Sequence, residues 1–199
     1  VMEYDASLFV DSGDEDDDKT YMLKMDMSKD AERTDEHALF TSVTGLESGT
    51  YEFSFDYFST ATPAPGTNLY TVSWEVWVDA KMAGDHITAG AKSTAKVRRD
   101  FTATSANGGR LTMGIDLHGQ VTGGVIYAWN FTLVKVGGDG TNLLPNPNFK
   151  NGSLKNWNYA YTGWYEQEAA ADPNGVCSAV EYDESLFVSP GEEDDGKTY

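Results

Sequence analysis

The chain has 199 residues, with 32 acidic side chains against 14 basic ones and a formal net charge of −18. That balance excludes nucleic acid as a partner, because binding it needs a basic footprint, and it disfavours an anionic membrane surface for the same reason. No stretch approaches the roughly 20 apolar residues that span a bilayer, so no membrane insertion is expected. Cys177 is the single cysteine, which leaves no disulfide framework within the chain.

In chain order, the first feature is a segment that returns at the far end. Glu3 to Tyr21 reads EYDASLFVDSGDEDDDKTY, and Glu181 to Tyr199 reads EYDESLFVSPGEEDDGKTY. The offset is 178 residues, and 14 of the 21 positions aligned from Val1 are identical. Self-similarity at a fixed offset signals an array, and this offset suits a whole domain rather than a solenoid repeat of about 20 to 50 residues. The chain is expected to be a window on a tandem array. Within both copies lies an acidic run. Asp14, Glu15, Asp16 and Asp17 in the first, with Glu192, Glu193, Asp194 and Asp195 in the second, are candidate calcium ligands, since clustered carboxylate oxygens suit a hard cation. Their spacing is not that of an EF-hand loop, and a solvated acidic turn is the plain alternative. Beyond calcium no cofactor is expected.

The next segments alternate with period two. Tyr21, Leu23, Met25 and Met27 form one apolar set, Tyr51, Phe53, Phe55 and Tyr57 a second, Val72, Trp74, Val76 and Val78 a third, and Leu111, Met113, Ile115 and Leu117 a fourth. Such alternation puts one side of a strand on a core and the other toward solvent. The last run, Val125 to Val136, is apolar on both faces for part of its length. Glycine and proline turn signals separate the runs at Gly45 to Gly49, Pro63 to Gly66, Asn107 to Gly109 and Gly123–Gly124. With no long amphipathic helix, the pattern predicts an all-β fold, an antiparallel β-sandwich of jelly-roll type.

A linker is expected at 137–141, within VGGDGTNLLPN. Residues 1–136 then form the later part of one unit and 142–199 the opening part of the next, so the fold is met in permuted order. The segment 142–199 either completes 22–136 or leaves to complete a neighbouring molecule, because an incomplete sheet leaves unpaired edges.

Read from that boundary, a unit runs NLLPNPNFKNGSLKNWN (Asn142 to Asn158), DDKTYMLKMDM (Asp17 to Met27), TGLESGTYEFSFDYFS (Thr44 to Ser59) and VIYAWNFTLVKV (Val125 to Val136). This resembles the galactose-binding-like jelly rolls of the carbohydrate-binding modules. Their opening N-L-x-x-N-x-x-F…G…W, G-K-Y-x-L, L-x-x-G-x-x-Y-x-x-x-F and closing D-N-V-x-L-x-x-V patterns find counterparts here. Two positions depart from that pattern: Lys150 stands where the relatives often carry an acidic residue, and Trp129 where they carry Asp. In the relatives those acidic groups help to hold a structural calcium, which puts that particular site in doubt. The shared motifs are turn and core residues, so the resemblance implies fold more than function.

Most aromatic residues fall on apolar faces and read as core. Trp77 lies on the polar face with Ser73, Glu75 and Asp79, and an indole beside carboxylates can stack on a sugar ring while the acids accept its hydroxyl protons. Glu75, Trp77 and Asp79 are therefore candidate sugar contacts, as are Tyr161, Trp164 and Tyr165 in the aromatic stretch Tyr159–Tyr165. Burial beneath a neighbouring strand or unit is the alternative for both groups.

Catalysis is not expected. His37, His86 and His118 form no metal-spaced pair, and no nucleophile elbow, phosphate loop or dinucleotide fingerprint is present. The expected role is a non-catalytic repeat module of a secreted or cell-surface protein. It acts as an adhesion or structural scaffold, with strand donation as a route to fibres, or alternatively as a carbohydrate-binding module gaining avidity from repetition. Partners are neighbouring repeats, copies of itself, or a polysaccharide. Asn130-Phe-Thr and Asn151-Gly-Ser match the glycosylation sequon.

Overall fold

The computed structural model describes residues 19–30, 38–60, 62–63, 70–75, 86–87, 92–116, 121–160, 166–168 and 175–187. The alternating segments form strands. In chain order they are β1 (Tyr21–Asp26), β2 (Ala38–Val43), β3 (Gly49–Ser59), β4 (Thr62–Pro63), β5 (Tyr70–Glu75), β6 (His86–Ile87), β7 (Lys92–Phe101), β8 (Leu111–Asp116), β9 (Val121–Gly123), β10 (Val125–Lys135), β11 (Asn158–Ala160), β12 (Glu166–Glu168) and β13 (Cys177–Glu181). Two antiparallel sheets result, ordered β13-β1-β10-β3-β7 and β12-β11-β2-β8-β5-β6, with a small β4-β9 pair beside them. The fold is an all-β sandwich.

Period two decides which side chains enter the space between the sheets. Along β3, Tyr51, Phe53, Phe55 and Tyr57 are buried while Glu52, Ser54, Asp56 and Phe58 face outward. Leu23 and Met25 of β1 and Ile126, Ala128, Phe131 and Leu133 of β10 join them from the same sheet. Leu39 of β2 and Leu111, Met113 and Ile115 of β8 meet them from the other. Phe131 is the hub of the aromatic core. It stacks on Phe55 at 4.9 Å and meets Trp157 and Phe149 edge to face at 4.9 and 5.7 Å.

Strand β10 is irregular for a visible reason. Its register against β3 shifts between Trp129 and Thr132, and Asn130 takes φ 55°. The bulge adds one residue to the strand. Ala128 and Phe131 thereby both face the core, and Trp129 and Asn130 both lie outside it.

The glycine-rich turn after β10 is held tightly. The Val136 N–H donates to Thr50 O at 2.9 Å and the Gly138 N–H to Lys135 O at 3.0 Å, with Gly137 at φ 77° and Gly140 at φ 84°. Past the turn the chain runs back along β10. The Leu143 N–H donates to Leu133 O at 2.8 Å, and the Asn142 side chain bonds both Leu133 N–H and Phe131 O. The opening motif then closes on itself. The Asn146 amide donates to Ser153 O and Lys155 O, its side-chain oxygen accepts from Lys150 N–H, and its own carbonyl accepts the Trp157 indole N–H at 3.1 Å. These bonds satisfy backbone groups that have no ladder partner there, and they aim Phe149 and Trp157 into the core.

Residues 158–181 supply strands to both sheets. β11 pairs with β2, and β13 pairs with β1, where Tyr21 lies opposite Glu181 and Met25 opposite Cys177. Cys177 is buried. Among the described residues, no helix is long and apolar enough to cross a membrane.

Candidate functional site

The outer face of the five-stranded sheet brings aromatic and polar side chains together in rows, because opposite residues of an antiparallel ladder share a face. One row holds Lys24 of β1, Tyr127 of β10 and Phe58 of β3. The Phe58 and Tyr127 rings are nearly parallel, 11° between planes and 6.4 Å between centroids. Both are partly exposed. They expose aromatic surface on the face that a sandwich turns to solvent.

The next row holds Trp129, Asp56 and Thr94. Both Asp56 oxygens are engaged, one by the Thr94 hydroxyl at 2.5 Å and the other by the Asn130 amide at 3.0 Å. Beyond it, the Ser54 and Thr132 hydroxyls bond one another at 2.8 Å. Further along, Glu52 is gripped by Arg98 and by Lys96 at 3.1 Å. The Arg98 hydrogen bond, aided by Lys96, holds the Glu52 carboxyl below its ordinary range despite partial burial. The face therefore offers fixed donors and acceptors beside a flat aromatic surface.

Trp129 itself is covered. The chain leaving β13 crosses it, with the Tyr182 ring 4.2 Å and the Phe187 ring 6.1 Å from the indole. A single 3-10 turn at Glu184–Leu186 shapes this strap, capped by Asp183, whose carboxylate accepts from Ser185 N–H at 3.0 Å and from its hydroxyl at 2.6 Å. The Tyr182 N–H is anchored on Thr20 O at 2.8 Å. Burial raises the Tyr182 phenol above its ordinary range, and the negative charges of Glu184, Asp56 and Asp183 push the same way.

Of the residues singled out from sequence, Glu75 lies among the described residues. Glu75 ends β5 and pairs with Thr112 of β8, which in turn pairs with Ser42 of β2, a row on the six-stranded sheet. Thr112 is buried there, and its hydroxyl meets that of Ser42 at 2.8 Å. Trp77 and Asp79 follow β5 but lie outside the described residues, as do Tyr161, Trp164 and Tyr165, which connect β11 to β12. Asp14, Glu15, Asp16, Asp17, Glu192, Glu193, Asp194 and Asp195 are also outside them. Among the described residues, no group of three or more His, Cys, Asp or Glu side chains is placed to hold a metal ion.

Of the outer-face aromatics, the sequence singles out none of Phe58, Tyr127 and Trp129 as a ligand contact, and marks Trp129 only as a departure from the family pattern. The signal was the two-sided apolar character of Val125 to Val136. In a strand with one buried face, that pattern means aromatics on the solvent side.

No family model matches the chain, and no curated protein matches it. A solved structure titled PbXyn10C CBM, in its apo form, is similar with a TM-score of 0.52 at 15% sequence identity, over 88% of this chain and 98% of that one. At that identity the likeness is one of fold: the chain shares that structure's β-sandwich architecture.

Proposed function

We propose that the chain is a non-catalytic carbohydrate-binding module whose sugar surface is the outer face of the five-stranded sheet. The observation that carries this is the near-parallel Phe58–Tyr127 pair set among hydrogen-bonding groups. The apolar C–H face of a sugar ring stacks on such aromatic surface, while hydroxyls exchange bonds with groups of the kind Lys24, Asp56, Asn130 and Thr94 supply. The fold shared with the module titled PbXyn10C CBM supports the same reading. Affinity electrophoresis against xylan, cellulose and mixed-linkage glucan tests it. Retardation by at least one neutral polysaccharide is expected, and unchanged mobility in all of them would overturn the reading.

A second role rests on the repeat of Glu3–Tyr21 at Glu181–Tyr199. Modules in series on a secreted or cell-surface protein gain avidity through effective concentration, and the array then serves as an adhesive scaffold. The acidic runs at Asp14–Asp17 and Glu192–Asp195 are the place where calcium would act. Calorimetric titration without heat and an unmoved unfolding temperature would remove the ion from this account.

A further inference from the structure

Met22 is only 2% exposed, yet it sits between the core-facing Tyr21 and Leu23 and belongs to the opposite face of β1. It pairs with Val180, and the Leu23–Ala128 ladder continued by one step puts it opposite Trp129. Val180, Met22 and Trp129 thus form an apolar row on the outside of the sandwich, and the strap from Tyr182 to Phe187 crosses the indole. Tyr182 and Phe187 also stack on each other at 5.5 Å. The strap's shape depends on Asp183 and Ser185.

Every one of those residues recurs in the first copy of the repeat. Tyr4, Asp5, Ser7, Leu8 and Phe9 match Tyr182, Asp183, Ser185, Leu186 and Phe187; the single difference, Ala6 for Glu184, falls on an exposed position. The chain therefore carries two segments with the chemistry of the strap and one Trp129 row. Eleven residues, 10–20, join Phe9 to Tyr21, and an extended chain of that length reaches about 36 Å, ample for a return to β1. We propose that the Met22–Trp129 row is a docking groove for the segment Tyr-Asp-x-Ser-Leu-Phe, and that Tyr4–Phe9 of the same chain is its second occupant, interchangeable with Tyr182–Phe187. In an array each groove then has two competing straps, one on either side of its unit in sequence, and the displaced strap is free to link units.

The test uses the full chain. Tyr182→Ala/Phe187→Ala empties the groove of its present strap, Tyr4→Ala/Phe9→Ala removes the alternative, and the fourfold variant removes both. The second pair alone should leave the unfolding midpoint unchanged. The fourfold variant should melt about 4 °C or more below the first pair, a shift worth roughly 1 to 2 kcal/mol in a chain of this size. A synthetic peptide of residues Glu3 to Val10, added at millimolar concentration, should restore that loss, and the same peptide with Tyr4 and Phe9 replaced by Ala should not. Equal midpoints for the first pair and the fourfold variant, with no response to peptide, would overturn the proposal. So would a dimer of the first pair that depends on Phe9, which would put the second occupant in another molecule. If the fourfold variant does not fold, Phe9→Leu and Phe187→Leu, singly and together, give the same comparison.

Discussion

Phe131 and Trp157 meet edge to face, with ring centroids 4.9 Å apart and planes at 64°. Phe131 comes from β10 in one sheet, and Trp157 comes from the segment that leads directly into β11 in the other. Their contact ties the closing strand of the sequence pattern to its opening motif. Phe131→Ala removes this contact together with those to Phe55 and Phe149. The expected loss is about 3 to 5 kcal/mol in urea unfolding. Because one ring serves both sheets, tryptophan fluorescence and far-ultraviolet dichroism should still report a single transition. Two separated transitions would mean that the sheets do not share this core.

Asn142 makes a second link of the same kind, through hydrogen bonds. Its side chain accepts from Leu133 N–H at 3.0 Å and from Leu144 N–H at 3.2 Å, and donates to Phe131 O at 2.9 Å. Replacement by Ala leaves these backbone groups without that partner at a partly buried turn, which costs about 1 to 3 kcal/mol. Asn142→Asp restores the acceptor but not the donor, and it should recover only part of the loss. A thermal unfolding series over the two variants checks the order.

For the proposed sugar face, Tyr127→Ala and Phe58→Ala should each reduce polysaccharide binding at least tenfold with little change in fold. Trp129→Ala should act mainly on stability, since Tyr182 and Phe187 already cover the indole. Isothermal titration with a soluble oligosaccharide, paired with melting curves, separates the two effects. Intact binding in both Tyr127 and Phe58 variants would move the site elsewhere, and the row of Ser42, Thr112 and Glu75 on the other sheet would be the next to probe.

Among the strands legible in sequence, β1, β3, β8 and β10 have large apolar residues facing inward, and β5 showed in the alternation of Val72 and Trp74 with Ser73 and Glu75. Two others escaped for physical reasons. In β2 the inward set is Leu39, Thr41 and Val43, and Thr41 is fully buried because its hydroxyl finds Asn156 O at 2.8 Å. A satisfied polar residue in the core hides the alternation. In β7 the polar side dominates, with Thr94, Lys96 and Arg98 exposed and the small Ala95 buried among them. The opening motif was legible as fold, and its asparagines and Trp157 act as turn and core residues. The candidate face was not legible, because it depends on which strands become neighbours. Phe58 and Tyr127 are 69 residues apart in sequence, and the strap over Trp129 arrives from a segment beyond β13.

The strap also carries a pH signature. Burial, then the charges of Glu184, Asp56 and Asp183, raise the Tyr182 phenol above its ordinary value. A group whose folded value is raised contributes stability that is complete below its unfolded value, about 10 for tyrosine, and that is lost as pH climbs toward the folded value. The wild-type chain should therefore lose stability above pH about 10 more steeply than Tyr182→Phe, which keeps the ring against Trp129 and has no proton to release. Below pH about 9 the two should differ little, since no ionised phenol exists in either state. Urea midpoints at pH 8 and pH 11 give the comparison as a difference of differences, which cancels the titration of the other ten tyrosines. Parallel losses in the two proteins would show that Tyr182 is not held against the indole in solution. A smaller alkaline loss in Tyr182→Phe than in wild type, and a wild-type loss that Glu184→Gln lessens, would tie the effect to the strap and to the acidic charge beside it.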